Sequence, residues 1–516
     1  MQSEKSDVVI IGAGLAGLSA GIKLAQNGHS VTILEKHNQV GGCATTFKRK
    51  DFEIEVGLHA INGLREGEPQ RDLLKELNVW SKLKPLEIKE FYHFRIPEIL
   101  EFEFPTDPEL AKYNLKTTFP KEVDAIEHYF NDLNLARKIG QLFTNRDQEK
   151  ILEANLEENQ QILTSWQTTS VGTYLDRLNV STKLYMCILG NLGYYSDNPY
   201  KLSLLYFLVA QASFIYGGAF YFQGGSQSLS NALKDEFLRL GGKLYLKTEV
   251  KSIHIENSRT AACEAKNGFI YRCEYMIANC AIPYLINNLL PEPFASKIGR
   301  KVRKHSPACS ISNLYLGFNC DLKALGSKYY SNFFLKSEAI KQLDDLRKIN
   351  HSNMKDLKIL DWAKWAGCLV DYSQLDHGMC QSKYSSAVIC TIDYASRWNK
   401  YDKQSYKEQK KHFAQTLLDW LDKILPSASD KIIYKEVSTP LTIEKFTNNS
   451  EGSPYGYEQS PLSSGAFRIG FASPIRGLFF ASAWTRPGGG FTGALLSGKH
   501  CARKVSNAIK RKEKLF

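Results

Sequence analysis

The sequence is short of the devices that define several protein classes. Its eleven cysteines are an odd number, scattered from Cys43 to Cys501, and none stands in a CxxC pair. Zinc-ribbon and thioredoxin-like arrangements are therefore excluded. The cysteines read as buried small hydrophobes of a reducing compartment, with Cys263 and Cys273 as candidates to face each other across a hairpin. No Ser-His-Asp arrangement, metal-ligand spacing, internal repeat or long low-complexity linker is present, so no metal is expected. The first residues, Met1-Gln2-Ser3-Glu4-Lys5-Ser6-Asp7, lack the basic and apolar regions of a signal peptide. The expectation is a cytoplasmic protein, with a peripheral place at a membrane left open.

A clean apolar span is also lacking. No Asp, Glu, Lys or Arg occurs from Leu202 to Leu233, yet Gln211, Ser213 and Gly217-Gly218 interrupt the apolar part. A spanning helix needs ~20 predominantly apolar residues. A buried or membrane-dipping helix feeding an apolar pocket is expected instead.

What is there is a globular composition, 43% hydrophobic and 23% charged over 516 residues. That length predicts more than one domain. Lys+Arg exceed Asp+Glu by 66 − 54 = 12. This modest excess suits an anionic ligand or membrane surface better than nucleic acid, which is not expected as a partner.

The clearest pattern lies at residues 7–35. Val8-Val9-Ile10-Ile11 reads as a strand buried on both faces, and Gly12-Ala13-Gly14-Leu15-Ala16-Gly17 follows at once. A helix is expected from Leu18 to Asn27, then a strand over Ser30–Leu34 that ends at Glu35, eighteen positions past Gly17. In this strand–turn–helix context the GxGxxG is a dinucleotide fingerprint. Gly12 permits the tight turn. Gly14 lets a pyrophosphate approach the helix N-terminus at Leu15 and Ala16, where amide dipoles favour anions. Gly17 lets helix and strand pack closely. Glu35 can accept hydrogen bonds from a ribose diol, and its charge disfavours a 2′-phosphate.

Two features favour FAD over NAD. Gly41-Gly42 would run along the rest of a longer dinucleotide. Far downstream, Trp484-Thr485-Arg486-Pro487-Gly488-Gly489-Gly490-Phe491-Thr492-Gly493-Ala494 offers a second close backbone approach, where Gly493, Ala494, Ser497 and Gly498 keep one helical face small. Phe52 to His59 alternates like a strand, residues 107–200 read as helical, and 243–279 return to strands. Strands are expected over Ser310–Phe318 and Ala387–Asp393, and a helix over Lys407–Ile424. Residues 336–356 read as a charged, solvated insertion. The basic tail Lys510-Arg511-Lys512-Glu513-Lys514 closes the chain.

The N-terminal unit, Glu55-Val56-Gly57-Leu58-His59, Phe222-Gln223-Gly224-Gly225-Ser226-Gln227, Ser438-Thr439-Pro440-Leu441-Thr442 with Tyr455-Gly456, and the Pro-Gly-Gly-Gly element resemble the phytoene desaturase, carotenoid isomerase and retinol saturase family. They occur in that family's order over nearly the whole chain. The resemblance implies an α/β fold, a Rossmann-like FAD-binding domain of the glutathione-reductase kind (1–105, 215–300 and 445–516). It would be interleaved with a mixed α+β substrate domain (106–214 and 301–444). It places Val250 near the adenine, and Trp484 and His59 near the flavin, with His59 either a catalytic residue or a structural histidine. Glu55 would help fix the Gly-rich turn. Cys43 departs from the family, which has Arg after the Gly-Gly pair, and Asn62 is a one-residue extension near the pocket.

The candidate cofactor contacts are thus Gly12, Gly14, Leu15, Ala16, Gly17, Glu35, Lys36, Gly41, Gly42, Cys43, Val250, Trp484, Gly489, Gly490, Thr492 and Gly493. The aromatic run Tyr194, Tyr195, Tyr206, Phe207, Phe214, Tyr216, Phe220, Tyr221 and Phe222 reads as a polyene tunnel or as core. The expected activity is FAD-dependent oxidation or reduction at carbon–carbon bonds of a long apolar polyene, carotenoid-like or retinoid-like. Desaturation, saturation and flavin-assisted isomerisation all fit, and the electron partner is open. Alternatives are an amine or amino-acid oxidase and a non-catalytic prenyl-lipid escort resembling Rab GDP-dissociation inhibitors.

Overall fold

The computed structural model describes residues 2–57, 59–145, 156–348, 366–376, 379–380 and 383–513. Leu58, the charged run 147–150, the far part of the 336–356 stretch and Lys514 lie outside them. Within that stretch, residues Glu338–Lys348 form a helix.

The chain opens as β1 (Ser3–Ile11), α1 (Leu15–Gln26) and β2 (Val31–Leu34). The helix starts three residues before the expected Leu18, because Gly14 is extended and serves as N-cap. β1 is buried on both faces. Val8 and Ile10 join the core beneath α1, while Val9 and Ile11 join a second core with Val250 and Trp484.

β1 is central to a sheet with the order Lys243–Tyr245, β2, β1, Ile270–Ala278, Arg259–Ala265, Val250–Glu256, with Leu478–Phe480 beside Ile270–Ala278. β1 pairs in parallel with both neighbours, and the hairpin strands at 250–278 are antiparallel. In this register Cys263 lies opposite Tyr271, so across the hairpin Cys273 is its diagonal neighbour in a shared core rather than its direct partner. Both are free.

A second sheet has the order Ile432–Ser438, Ser310–Phe318, Ser385–Asp393, Ala366–Asp371, Ser331–Leu335, Glu90–Ile96, Leu100–Pro105. Its alternation is physical. Leu314, Leu316, Leu369 and Ile389 pack against Leu417, Trp420 and Leu421 of the helix Lys403–Ile424. The opposite face carries Phe333, Cys368, Cys390 and Ile392, which line a cavity. The strands at 90–105 pair here, although they lie inside the segment 1–105 expected to belong with the first sheet.

The charge-free stretch forms the helix Leu204–Gly217, fourteen residues long. None of its side chains is exposed. Phe207, Leu208 and Ile215 face the core, whereas Leu205, Tyr206, Val209, Ala210 and Phe214 line the cavity. Of the two expected alternatives, buried or membrane-dipping, it is the largely buried helix that feeds the pocket. No described helix is long and apolar enough to cross a membrane.

Candidate functional site

The fingerprint loop is built by close backbone contacts. Gly12 has φ +103°, and a Cβ there would stand 2.5 Å from the Asn279 carbonyl oxygen. Asn279, at the end of the strand Ile270–Ala278, donates from Nδ2 to the Gly12 carbonyl at 2.9 Å. A Cβ on Gly17 would sit 2.2 Å from the same carbonyl. Gly17 is therefore a packing residue beneath the loop. Gly12, Gly14, Leu15 and Ala16 line the cavity and Gly17 does not. No side chain caps α1, so its first amides are left for a ligand.

Glu35 is 8% exposed and lines the same cavity. Its two carboxylate oxygens accept from the Ala13 and His37 amides, each at 2.8 Å. A carboxylate offers about four acceptor positions, so capacity for a ribose diol remains. Lys36 donates to Asn448 Oδ1 at 2.6 Å, and burial lowers its pKa. Val250 completes this end with Thr248 and Glu249.

The turn Gly41-Gly42 lies on the fingerprint loop. The Gly41 amide donates to the Ala13 carbonyl at 2.9 Å, and a Cβ on Gly42 would reach within 3.5 Å of Gly14 Cα. Cys43 follows in the cavity wall, its thiol pKa pushed up to about 11 by burial. Asn449 links it to the C-terminal element. Its Nδ2 is 3.7 Å from Cys43 Sγ, and its Oδ1 accepts from Trp484 Nε1 at 3.0 Å. Glu55 is buried and accepts from the Ser226 amide and hydroxyl, each at 2.7 Å, and so fixes the Gly-rich turn at Gly224-Gly225. The strand expected to run to residue 59 ends at Glu55.

The element at 484–494 completes the slot. Trp484 is 1% exposed and packs edge-on against Tyr457. Gly489 must be glycine because a Cβ would meet the Tyr455 carbonyl oxygen at 2.6 Å, and a Cβ on Gly493 would meet that of Gly488 at 2.4 Å. Gly490 has φ +83°, and nothing lies within 4 Å of its Cβ position. A side chain there would project into open space. Thr492 donates to Asn62 Oδ1 at 2.7 Å, which gives the Asn62 extension a contact. The small helical face is divided in use. Gly493 and Ala494 line the cavity. Ser497 bonds Thr485 at 2.8 Å, and Gly498 packs against α1, where a Cβ would be 2.2 Å from the Ala16 carbonyl oxygen.

The cavity has a volume of about 1020 Å³ and runs on from this slot into an apolar end. Of the aromatic run, Tyr194, Tyr195, Tyr206 and Phe214 line it, whereas Phe207, Tyr216, Phe220, Tyr221 and Phe222 do not. His59 lines the cavity too, its ring 5.8 Å from that of Tyr194 in an edge contact. Tyr330 holds its carbonyl by a 2.7 Å hydrogen bond. Burial pushes the His59 pKa down to about 4, so the ring is neutral at pH 7. Among the described lining residues the only carboxylates are Glu35 and Glu249, both at the slot end.

Sequence reasoning missed two residues of the site, Asn279 and Asn449, and one buried behind it, Arg468. Asn279 had a signal, since it directly follows a recognisable buried strand. Arg468 had none. It is 2% exposed and donates to six backbone carbonyls, among them Tyr457 at 3.0 Å, Ala483 at 2.7 Å and Thr485 at 3.1 Å.

An uncapped helix N-terminus, a buried carboxylate with acceptor positions to spare and two glycine-rich turns on one cavity fit a dinucleotide longer than its ADP half. Together with the fold they define an FAD-dependent oxidoreductase. Residues 15–506 match the flavin-containing amine oxidoreductase family, and the chain belongs to that family. It is 24% identical over 528 residues to a 4,4′-diaponeurosporene oxygenase of Staphylococcus aureus, covering 97% of this chain and 98% of the relative. It is 22% identical over 532 residues to an all-trans-retinol 13,14-reductase of Danio rerio, covering 98% of this chain and 86% of the relative. Its fold is similar to that of putrescine oxidase bound to putrescine, with TM-score 0.63 and 16% identity over 98% of this chain and all of that one.

Proposed function

We propose that the protein oxidises, reduces or isomerises carbon–carbon bonds of a long apolar polyene, of the carotenoid or retinoid kind, with FAD held in the slot. The observation that carries this reading is the continuity of one cavity, from the glycine cradle at Gly14 and Gly42 to the apolar end at Tyr194, Phe214 and Phe333. Diaponeurosporene and retinol, the compounds named for two relatives, are both polyenes, which supports the same substrate class. The absence of a carboxylate among the described residues of the apolar end speaks against a cationic amine. The intact cradle speaks against an escort without a cofactor.

When bound, FAD supplies the hydride acceptor or donor. The protein's part follows from its residues. Gly12, Gly14, Leu15 and Ala16 would hold the pyrophosphate, Glu35 with Lys36 the ribose, and Val250 the adenine side. Gly41, Gly42 and Cys43 would flank the middle of the cofactor. Trp484, Gly489, Gly490, Thr492 and Gly493 would flank the ring. Tyr194 and Phe214 exclude water and orient a flat conjugated chain. His59, neutral at pH 7, serves as a wall and hydrogen-bonding partner rather than as an imidazolium donor. We further assign the cofactor domain to 1–89, 215–300 and 445–516, and the substrate domain to 90–214 and 301–444, since residues 90–105 pair in the second sheet.

The test is anaerobic titration of the oxidised and the photoreduced protein with detergent-solubilised polyenes and, separately, with primary amines and amino acids, following the flavin absorbance. A change with a polyene and none with the nitrogen compounds is expected. Bleaching by an amine or amino acid with none by any polyene would overturn the reading.

A further inference from the structure

The cavity meets the surface at the helix Leu156–Thr168 and the loop 465–467. Gln160, Thr164 and Thr168 of the helix and Ala466 and Phe467 of the loop line it and are exposed. Helix and loop are tied together, since Gln167 Nε2 donates to the Pro461 carbonyl at 3.0 Å and to the Ser464 carbonyl at 3.3 Å. This rim differs in chemistry from the wall at Tyr194, Phe214 and Phe333, for it carries an amide and two hydroxyls. Hydroxyls beside water need no ligand. A half-buried cation does, and the same wall holds one.

Arg486 lines the cavity and is half-buried. Its Nε donates to the Arg468 carbonyl at 3.1 Å and its Nη2 to the Ala466 carbonyl. One edge of the guanidinium is thus fastened to backbone, which sets its plane at the rim. Nη1 has no hydrogen-bond partner among the described residues, and no described carboxylate pairs with this arginine. The carboxylates of the described lining, Glu35 and Glu249, are at the slot end. Burial lowers the Arg486 pKa with no opposing charge to offset it. Arg468, directly behind, spends its own guanidinium on backbone carbonyls and neutralises nothing. Two neighbouring guanidiniums without a counter-ion make a place that an anionic ligand stabilises.

The chemistry of that anion follows from the fork. A guanidinium edge matches the two oxygens of a carboxylate. A diphosphate carries more charge and would call for several cations. The one other Lys or Arg of the described lining is Lys36, at the slot end and bonded to Asn448. We propose that Arg486 binds the carboxylate head of an amphipathic polyene at the cavity mouth, so that the conjugated chain runs inward along Tyr194 and Phe214. The inference rests on the polyene function proposed above and deepens it, giving the substrate a polar end and one direction of entry.

The test is equilibrium binding to the full-length, FAD-loaded protein in detergent, followed by flavin and polyene absorbance. One polyene is offered as the free acid, the methyl ester and the parent hydrocarbon, at about pH 8, where the acid is ionised. A hydrogen bond to a charged group is worth about tenfold or more, so the acid should bind at least about tenfold tighter than the ester. Arg486→Gln should remove this preference, acid and ester then binding within about twofold of each other. Thr164→Glu, which leaves the backbone bonds of Arg486 untouched, should narrow the preference about threefold by placing an anion on the rim. Retention of FAD checks the fold of each variant, and should Arg486→Gln lose FAD, Thr164→Glu decides in its place. The proposal is overturned if acid and ester bind the unchanged protein alike, or if the preference survives the deciding variant. It also falls if an amino acid bleaches the flavin and Arg486→Gln abolishes that bleaching, which would give the arginine to an amino-acid oxidase. Ester and hydrocarbon binding without preference for the acid sinks this inference alone, whereas no binding of any polyene form sinks the proposed function with it.

Discussion

At the scale of single residues, two glycines of one motif do different work. Gly14 faces the cavity, with only Asn279 Nδ2 close to its Cβ position, at 3.2 Å. Gly14→Val should leave the fold intact and abolish FAD retention, since the branched side chain takes the pyrophosphate's space. Stoichiometric FAD in the purified variant would show that the loop has another use. Gly17→Ala should instead lose stability, by about 1–3 kcal/mol of overpacking, because its Cβ would be driven into the Gly12 carbonyl. A thermal melt separates the two. Histidines give a pH signature. Burial holds both His59 and His305 at about 4, against an ordinary value of ~6.5 in the unfolded chain. Between those limits the unfolded state binds more protons, so stability falls as pH drops from about 6.5 to about 4 and is level above 7. Melts of the FAD-saturated protein should show this slope, and His305→Gln should make it shallower. An unchanged slope would mean that carboxylates dominate. His59→Ala should slow turnover less than about tenfold with an unaltered pH profile, whereas a general acid would be worth ~10²–10⁴-fold.

Among elements, the loop 455–463 and the element at 483–485 are joined by Arg468 as well as by the packing of Tyr457 on Trp484. Its guanidinium serves six carbonyls, and burial lowers its pKa only to about 10, so it stays charged. Arg468→Met would orphan these carbonyls, at about 1–3 kcal/mol for each one left buried and unsatisfied. The melting temperature should drop sharply, and Arg468→Lys should not restore it, because an ammonium cannot reproduce the planar fork. Rescue by lysine would reduce the role to charge alone. This residue also shows where sequence reading stops. β1, α1 and β2 were legible because each is signalled by local pattern, a run of Val8 to Ile11, a glycine loop and an acidic strand end. The strand Ser310–Phe318 was legible for the same reason. The pairing of Ser331–Leu335 with Glu90–Ile96 joins segments more than two hundred residues apart, and neither strand carries a mark of its partner. Arg468 sits in an ordinary Ala-Phe-Arg-Ile context, and its value lies entirely in the carbonyls that the fold brings around it.

For the molecule as a whole, the slot proposed for FAD lies where distant segments meet, so the cofactor should act as a structural ligand. A ligand bound only to the folded state stabilises it by about 2.7 kcal/mol at a hundredfold excess over Kd. Stripping FAD should lower Tm, and adding it back should raise Tm with the logarithm of its free concentration. A Tm indifferent to FAD would mean that the slot is rigid without it and that binding is weak. The contact between α1 and the C-terminal helix Phe491–Glu513 extends this dependence to biosynthesis. Ser19 Oγ donates to the Leu495 carbonyl at 2.9 Å across 476 positions, and Gly498 lies against Ala16. On the ribosome the fingerprint therefore emerges long before the helix that braces it. At ~5–20 residues per second the wait is roughly half a minute to a minute and a half. During that interval the face of α1 around Ala16 and Ser19 lacks the helix that covers it. Nascent chains arrested before Leu495 should fail to capture flavin, and chains that carry the helix through Glu513 should load it, so the arrival of this helix times the birth of the holoenzyme.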